Sequence, residues 1–171
     1  MKKNYIPLMV SVLIAFALAG ACKSAPKPAE DQQEEVNLSF ETVYDKYHDR
    51  LILEGAADYV VKYSDTLNRI ARQFYGSEEP FGVSNAYFFP LIMLASNEVV
   101  KDPDLIEPGM HLAVPDLQRN LDNADARQAM KEFFTEIAAI YEEKVRNATR
   151  PNLRTLADET QRSLVSLVHR L

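Results

Sequence analysis

Tyr59-Val-Val-Lys-Tyr-Ser-Asp-Thr-Leu-Asn-Arg-Ile-Ala-Arg-Gln-Phe-Tyr-Gly76 opens on β-forming residues and changes within a few positions to a helical pattern. Tyr59, Val60, Val61 and Tyr63 favour a strand, with Lys62 among them. Asp65 or Ser64 is expected to cap the following helix by accepting hydrogen bonds from its free first-turn amides. Leu67, Ile70, Ala71 and Phe74 then share one helical face, and Gly76 stands where a glycine commonly ends a helix at positive φ. A second stretch reads Asp102-Pro-Asp-Leu-Ile-Glu-Pro-Gly-Met-His-Leu-Ala-Val-Pro115. Its Asp102-Pro-Asp and Pro108-Gly109 segments predict two turns, and His111 to Val114 predicts a returning strand. Between the two stretches, Leu91, Ile92, Leu94 and Ala95 mark a helix near Phe88 to Ser96, with Pro90 fitting its first turn. The order is β-α-α-β, which allows the two strands to pair antiparallel under two helices.

Working outward, Phe40, Val43, Tyr44, Tyr47 and Leu51 give the segment from Leu38 to Leu53 a helical face. Ser39 is its candidate cap, with Thr42 where a capping box would have Glu. Gly55 breaks the pattern before the strand. In the tail, Met130, Phe133, Phe134, Ile137, Tyr141 and Val145 form one face of a helix over roughly Ala124 to Arg146. Leu153, Leu156, Thr160, Leu164, Leu167 and Leu171 form a second face, and Pro151 fits the first turn of that helix. So short a connection makes the two pack antiparallel. Such stripes normally pack on their own domain; the functional alternative is a docking surface for another protein or a second copy. The fold class is α+β: a single module at 58–116, a flanking helix at 38–57 and a helical hairpin at 117–171. No second copy of the module is visible.

The first residues concern the compartment. Met1-Lys2-Lys3-Asn4 is basic, Ile6 to Leu18 is almost wholly apolar, and Leu18-Ala-Gly-Ala-Cys22 ends on the single cysteine. This has the layout of an export signal over residues 1–21. The apolar run of about 13 residues falls short of the ~20 that cross a hydrocarbon core. Small residues directly before Cys22 resemble a bacterial lipobox, with Ala19 where Leu is usual, and imply lipidation of Cys22. Residues 22–37, rich in Pro, Glu and Gln, then read as a flexible tether. Cleavage before Cys22 leaves no second cysteine and hence no disulfide framework, so stability must come from packing.

The formal net charge is −6, and from Asp58 to Asp116 carboxylates well outnumber cations. Without a basic stripe to neutralise phosphates, nucleic acid is not expected as a partner, and anionic lipid headgroups and teichoic-type polymers are poor candidates. No catalytic constellation is present either. His48, His111 and His169 lie far apart, Ser64 has no neighbouring histidine or nucleophile elbow, and Glu142-Glu143 is a solvated helix face. With 5 glycines in the chain there is no phosphate-cradling loop, and nothing calls for a metal or cofactor. Binding is the better expectation.

The module resembles the LysM family. Asp65-Thr66-Leu67, Ile70-Ala71, Tyr75-Gly76, Asn97, Asp102-Pro-Asp-Leu-Ile106, Pro108-Gly109 and Val114-Pro115 stand where that family has them. With the Leu51 to Ala56 segment and the helical flanks, the layout is similar to small bacterial LysM lipoproteins. The resemblance implies non-catalytic binding of N-acetylglucosamine-containing glycan, which in a bacterium means peptidoglycan, by a lipoprotein of the cell envelope. It places the sugar across two loops, Ser64-Asp65-Thr66-Leu67 and Leu105-Ile106-Glu107-Pro108-Gly109, with Leu67 and Ile106 facing the acetyl methyl. The chain departs from the family in three places. Ser64 stands where Gly is usual, so a positive φ there would be strained. Met110 replaces a common Gln, and Ser77 to Tyr87 is a long connection expected to expose Phe81 and Tyr87.

Overall fold

The computed structural model describes residues 39–171. The readings of the export signal, of Cys22 and of the tether fall outside these residues. The fold is α+β, built from a two-stranded antiparallel sheet and helices. Strand β1 is Ala57–Val60 and β2 is His111–Val114, paired so that Tyr59 lies opposite Leu112 and Val60 opposite His111. Tyr59 and Leu112 point inward while Asp58, Val60 and His111 face out, the alternation that a one-sided sheet requires. β1 thus ends earlier than the β-formers through Tyr63 predict, because Lys62 to Asp65 closes a turn.

Helix α1 occupies residues 39–47 of the described chain and runs into a 3₁₀ turn, His48–Arg50. Helix α2 is Leu67–Tyr75, and α3 is Phe89–Ala95, preceded by the 3₁₀ turn Asn85–Phe88. Leu67, Ile70 and Ala71 of α2 are buried as the periodicity predicts, but Phe74 is exposed at the edge, its ring standing edge-on to Tyr59 at 5.7 Å. Gly76 ends α2 at φ 85° and ψ 176°, a region that is essentially glycine's. Three helices follow: α4 Leu117–Asp122, α5 Ala124–Asn147 and α6 Pro151–Arg170. α5 and α6 form the expected hairpin, with Pro151 in the first turn of α6. α4 is an additional short helix that the apolar periodicity does not mark. Asp116 caps it by accepting from the Arg119 amide at 3.1 Å.

A single hydrophobic core joins these elements. Phe88 packs on Phe134 with ring centroids 5.9 Å apart, and Phe89 meets Tyr141 at 6.3 Å. α1 closes the other side of α5, with Tyr47 against Phe133 at 5.5 Å and Phe40 against Tyr141 at 6.4 Å. The Tyr47 hydroxyl also donates to Glu136 at 2.8 Å. Phe133 and Leu164 are wholly buried, so they belong to the core and offer no docking surface. On α6 the apolar stripe splits: Ala157, Thr160, Leu164 and Leu167 are buried, whereas Leu153 and Leu156 are exposed. Phe81 and Tyr87 are not exposed as the long connection predicts. Phe81 packs edge-on to Phe88 at 5.8 Å, and the Tyr87 hydroxyl donates to Glu159 at 3.2 Å. Among the described residues no helix is long and apolar enough to cross a membrane.

Candidate functional site

The two loops singled out in the sequence leave the same end of the sheet. Past the last ladder pair, the Val61 amide donates to the Met110 carbonyl at 2.9 Å, and the Gly109 amide donates to the Val61 carbonyl at 2.8 Å. Each loop then closes a four-residue turn. In Lys62–Asp65 the Asp65 amide donates to the Lys62 carbonyl at 3.1 Å; in Glu107–Met110 the Met110 amide donates to the Glu107 carbonyl at 3.2 Å. The third residue of each turn has a positive φ, 70° at Ser64 and 93° at Gly109. Pro108 and Gly109 suit the second and third places of such a turn. A Cβ on Gly109 would meet nothing within 4 Å, so backbone angle and not space calls for glycine there.

Side chains fix both turns. Asp65 Oδ2 accepts from the Lys62 amide at 2.8 Å and from the Tyr59 hydroxyl at 2.7 Å. Burial pushes the Asp65 carboxyl up, but those two hydrogen bonds and the cations of Arg69 and Lys62 outweigh it and hold it below the ordinary carboxylate value. The same bond pushes the Tyr59 phenol up, so it remains a donor. Arg69 Nη1 donates to the Ser64 carbonyl at 2.7 Å. Thr66, not Asp65 or Ser64, caps α2, its hydroxyl accepting from the Arg69 amide at 3.2 Å. Asp65 is already committed to closing the turn, which leaves the cap to the next residue. In the other loop, Met110 Sδ accepts from the Glu107 amide at 3.3 Å. The thioether sulfur is a weak acceptor.

Of the sequence-assigned residues, Ser64, Thr66, Leu105, Glu107, Pro108 and Gly109 are exposed, and Asp65 and Ile106 are half-buried. Leu67 is 2% exposed and packs in the core, so contact with a sugar acetyl does not fit its placement. Leu105, at 55% exposure, presents the apolar surface in this region instead. Tyr63, at the tip of the first turn, is 90% exposed. Its β propensity favours the strand, and the turn around it lacks the glycine that would mark it in the sequence. Arg69 reads in the sequence as one more polar position on a helix.

Residues 59–87 match the model of the LysM domain. This interval spans the second half of β1, the first turn, α2 and the long connection. α3, the 105–109 loop and β2 lie past the match, and the structure brings them back onto it to complete the βααβ module. No curated protein and no solved structure matches the chain. A LysM domain is a binding module and not a catalytic one, and it points to glycan of the peptidoglycan or chitin type.

A cavity of about 520 Å³ lies at the opposite end of the strands from the two LysM loops, between Phe74, Tyr75, Phe81, Asn85, Pro115 and Leu117. Asn85 Nδ2 donates to the Tyr75 carbonyl at 2.7 Å, while Asn85 Oδ1 and the Tyr75 hydroxyl are buried without a protein partner. The cavity and the paired loops are separate features of the module.

Proposed function

We propose that this protein is a lipid-anchored component of the bacterial cell envelope that holds N-acetylglucosamine-containing glycan, peptidoglycan, without altering it. The observation that carries the reading is the pair of hydrogen-bonded turns at one end of the module's sheet, with Ser64, Thr66, Leu105, Glu107, Pro108 and Gly109 at the surface. N-acetyl sugars present amide and hydroxyl groups that suit exposed backbone and short polar side chains, and an apolar face that suits Tyr63 or Leu105. The lipobox-like Leu18-Ala-Gly-Ala-Cys22 supports a membrane anchor, and residues 22–37 would give it reach. Several acyl chains on Cys22 would hold firmly where one holds only marginally.

The test is co-sedimentation of residues 23–171 with insoluble peptidoglycan, beside a Thr66→Arg, Ile106→Arg variant. Saturable binding that the variant loses is the expected result. Absence of binding by the natural sequence would reject the reading. Docking of an envelope protein or of a second copy through the helices is the other reading. It is favoured by Leu153 and Leu156 alone, exposed together on α6. Under that reading Leu153→Glu, Leu156→Glu abolishes concentration-dependent association.

A further inference from the structure

We propose that Lys144, on helix α5, is a positioning residue for the 105–109 loop, so that the C-terminal hairpin forms part of the glycan site. This deepens the glycan-binding reading and rests on it. The segment leading into the loop is irregular, yet it is tied down closely. Lys144 Nζ donates to Asp102 Oδ1 and to Asp104 Oδ2, both at 2.7 Å. The Tyr141 hydroxyl, one turn earlier on α5, donates to Asp104 Oδ1 at 3.2 Å. Within the segment the Asp104 amide donates to Asp102 Oδ1 at 2.9 Å, and the Leu105 amide to the Asp102 carbonyl at 3.1 Å. The segment is therefore folded around Asp102 and fastened to α5 on two successive turns. Leu105, the first residue of the loop, leaves from the fastened end.

This anchor is built, not incidental. The Lys144 side chain is 13% exposed and that of Asp102 4%, so both charges have left water for each other. The ammonium also lies over the rings of Phe40 and Tyr141, 5.4 Å and 5.1 Å from their centroids. A buried charge pair of this kind tolerates loss of one partner poorly. A shallow sugar site gains from a loop held in place, because a loop that must order itself on binding spends part of its affinity doing so. The module's other loop needs no outside help: Asp65, Tyr59 and Arg69 all belong to the segment around it.

The experiment compares the full-length natural chain with Lys144→Met, Lys144→Arg and Leu164→Val. Two quantities are read, affinity for purified peptidoglycan and amide hydrogen exchange across residues 105–109. Leu164→Val lowers global stability from a buried site on α6 and controls for a merely structural effect. Lys144→Met is expected to weaken peptidoglycan binding roughly tenfold, within the usual span of site-to-site coupling, and to speed exchange in the loop. Lys144→Arg should restore part of both, and Leu164→Val should leave both near the natural values. Natural affinity together with natural loop protection in Lys144→Met overturns the proposal. If Lys144→Met does not fold, Asp104→Asn reads the same quantities, since Asp104 is the exposed partner. If the natural chain does not bind peptidoglycan, the glycan reading fails by itself. The exchange data then still decide whether Lys144 holds the loop.

Discussion

Ser64 is the non-glycine residue with a positive φ among those described, at 70° in the third place of the Lys62–Asp65 turn. An L-residue in left-handed conformation costs roughly 1–2 kcal/mol through crowding of its Cβ. Glycine escapes that cost but loses more freedom on folding, about 0.4–1 kcal/mol by comparison with alanine. The difference leaves Ser64→Gly more stable by about 0.5–1 kcal/mol. Little else changes with the side chain: Ser64 is exposed, and what it contributes to the turn is its carbonyl, bonded to Arg69. A chain of this size gains about 2–4 °C in Tm per kcal/mol, so a rise of one to four degrees is expected in a calorimetric scan. Ser64→Val supplies the opposite sign, because a β-branched residue tolerates positive φ worst. A lower Tm for Ser64→Gly, or a Ser64→Val variant as stable as the natural chain, would refute the argument. Either result would mean that the turn is not held at positive φ in solution.

Tyr75→Phe removes a buried hydroxyl that has no protein partner, so it should stabilise by about 1 kcal/mol instead of costing stability; a thermal melt checks this. Asp65 and Glu136 are both held below the ordinary carboxylate range. For each, burial is the largest influence and pushes up, but is outweighed by the Lys62 amide and Tyr59 hydroxyl at Asp65 and by Lys46 and the Tyr47 hydroxyl at Glu136. A carboxyl depressed in the folded state adds stability above its unfolded pKa and loses it as pH falls through the folded one. Asp65→Asn, Glu136→Gln should therefore lower stability at neutral pH and flatten its decline in acid, as followed by urea melts at stepped pH. Phe134→Ala empties a site between Phe88 and Phe133 and should cost about 3–5 kcal/mol. Sheet and helices should then still unfold in one transition, which coincident tyrosine fluorescence and circular dichroism would show.

The elements were legible where a single local rule governs them. The period of Leu67, Ile70 and Ala71 marks α2, Pro151 marks the start of α6, Gly76 marks a positive φ, and Pro108-Gly109 marks a turn. Sequence and structure differ where a residue answers to a partner distant along the chain. Phe74 continues the helical period yet lies at the edge, where only the Tyr59 ring stands edge-on to it among the aromatic side chains. Phe81 and Tyr87 look like loop residues until Phe81 packs on Phe88 and Tyr87 bonds to Glu159 of α6. The site shows the same division. Pro108-Gly109 placed the second loop from turn chemistry, whereas the first was placed only by the resemblance, and the identity of its cap could not be read. That choice depends on Asp65 being held by Tyr59 across the turn. Lys144 had no sequence signal at all, since its partners Asp102 and Asp104 lie some forty residues away.

Helix α3 explains why the module and the hairpin are inseparable. Phe89, Pro90, Leu91, Ile92, Met93 and Leu94 are all buried, leaving α3 no polar face for solvent. A helix apolar on every side must be enclosed on every side. The module's own parts reach only part of it: α2 packs along one flank, and a two-stranded sheet is too small to cover the rest. Beyond them, Tyr141 of α5 meets Phe89, Phe134 meets Phe88 just before the helix, and Phe40 of α1 stands against Tyr141. About 60 residues bury too small a fraction of their surface to be stable with margin, and here the deficit is made up by the flanks. The hydrophobic period of α5 is thus the complement of α3. The same helix face that completes the core carries Lys144 to Asp102 and Asp104. Core packing and placement of the 105–109 loop are consequences of one docking event.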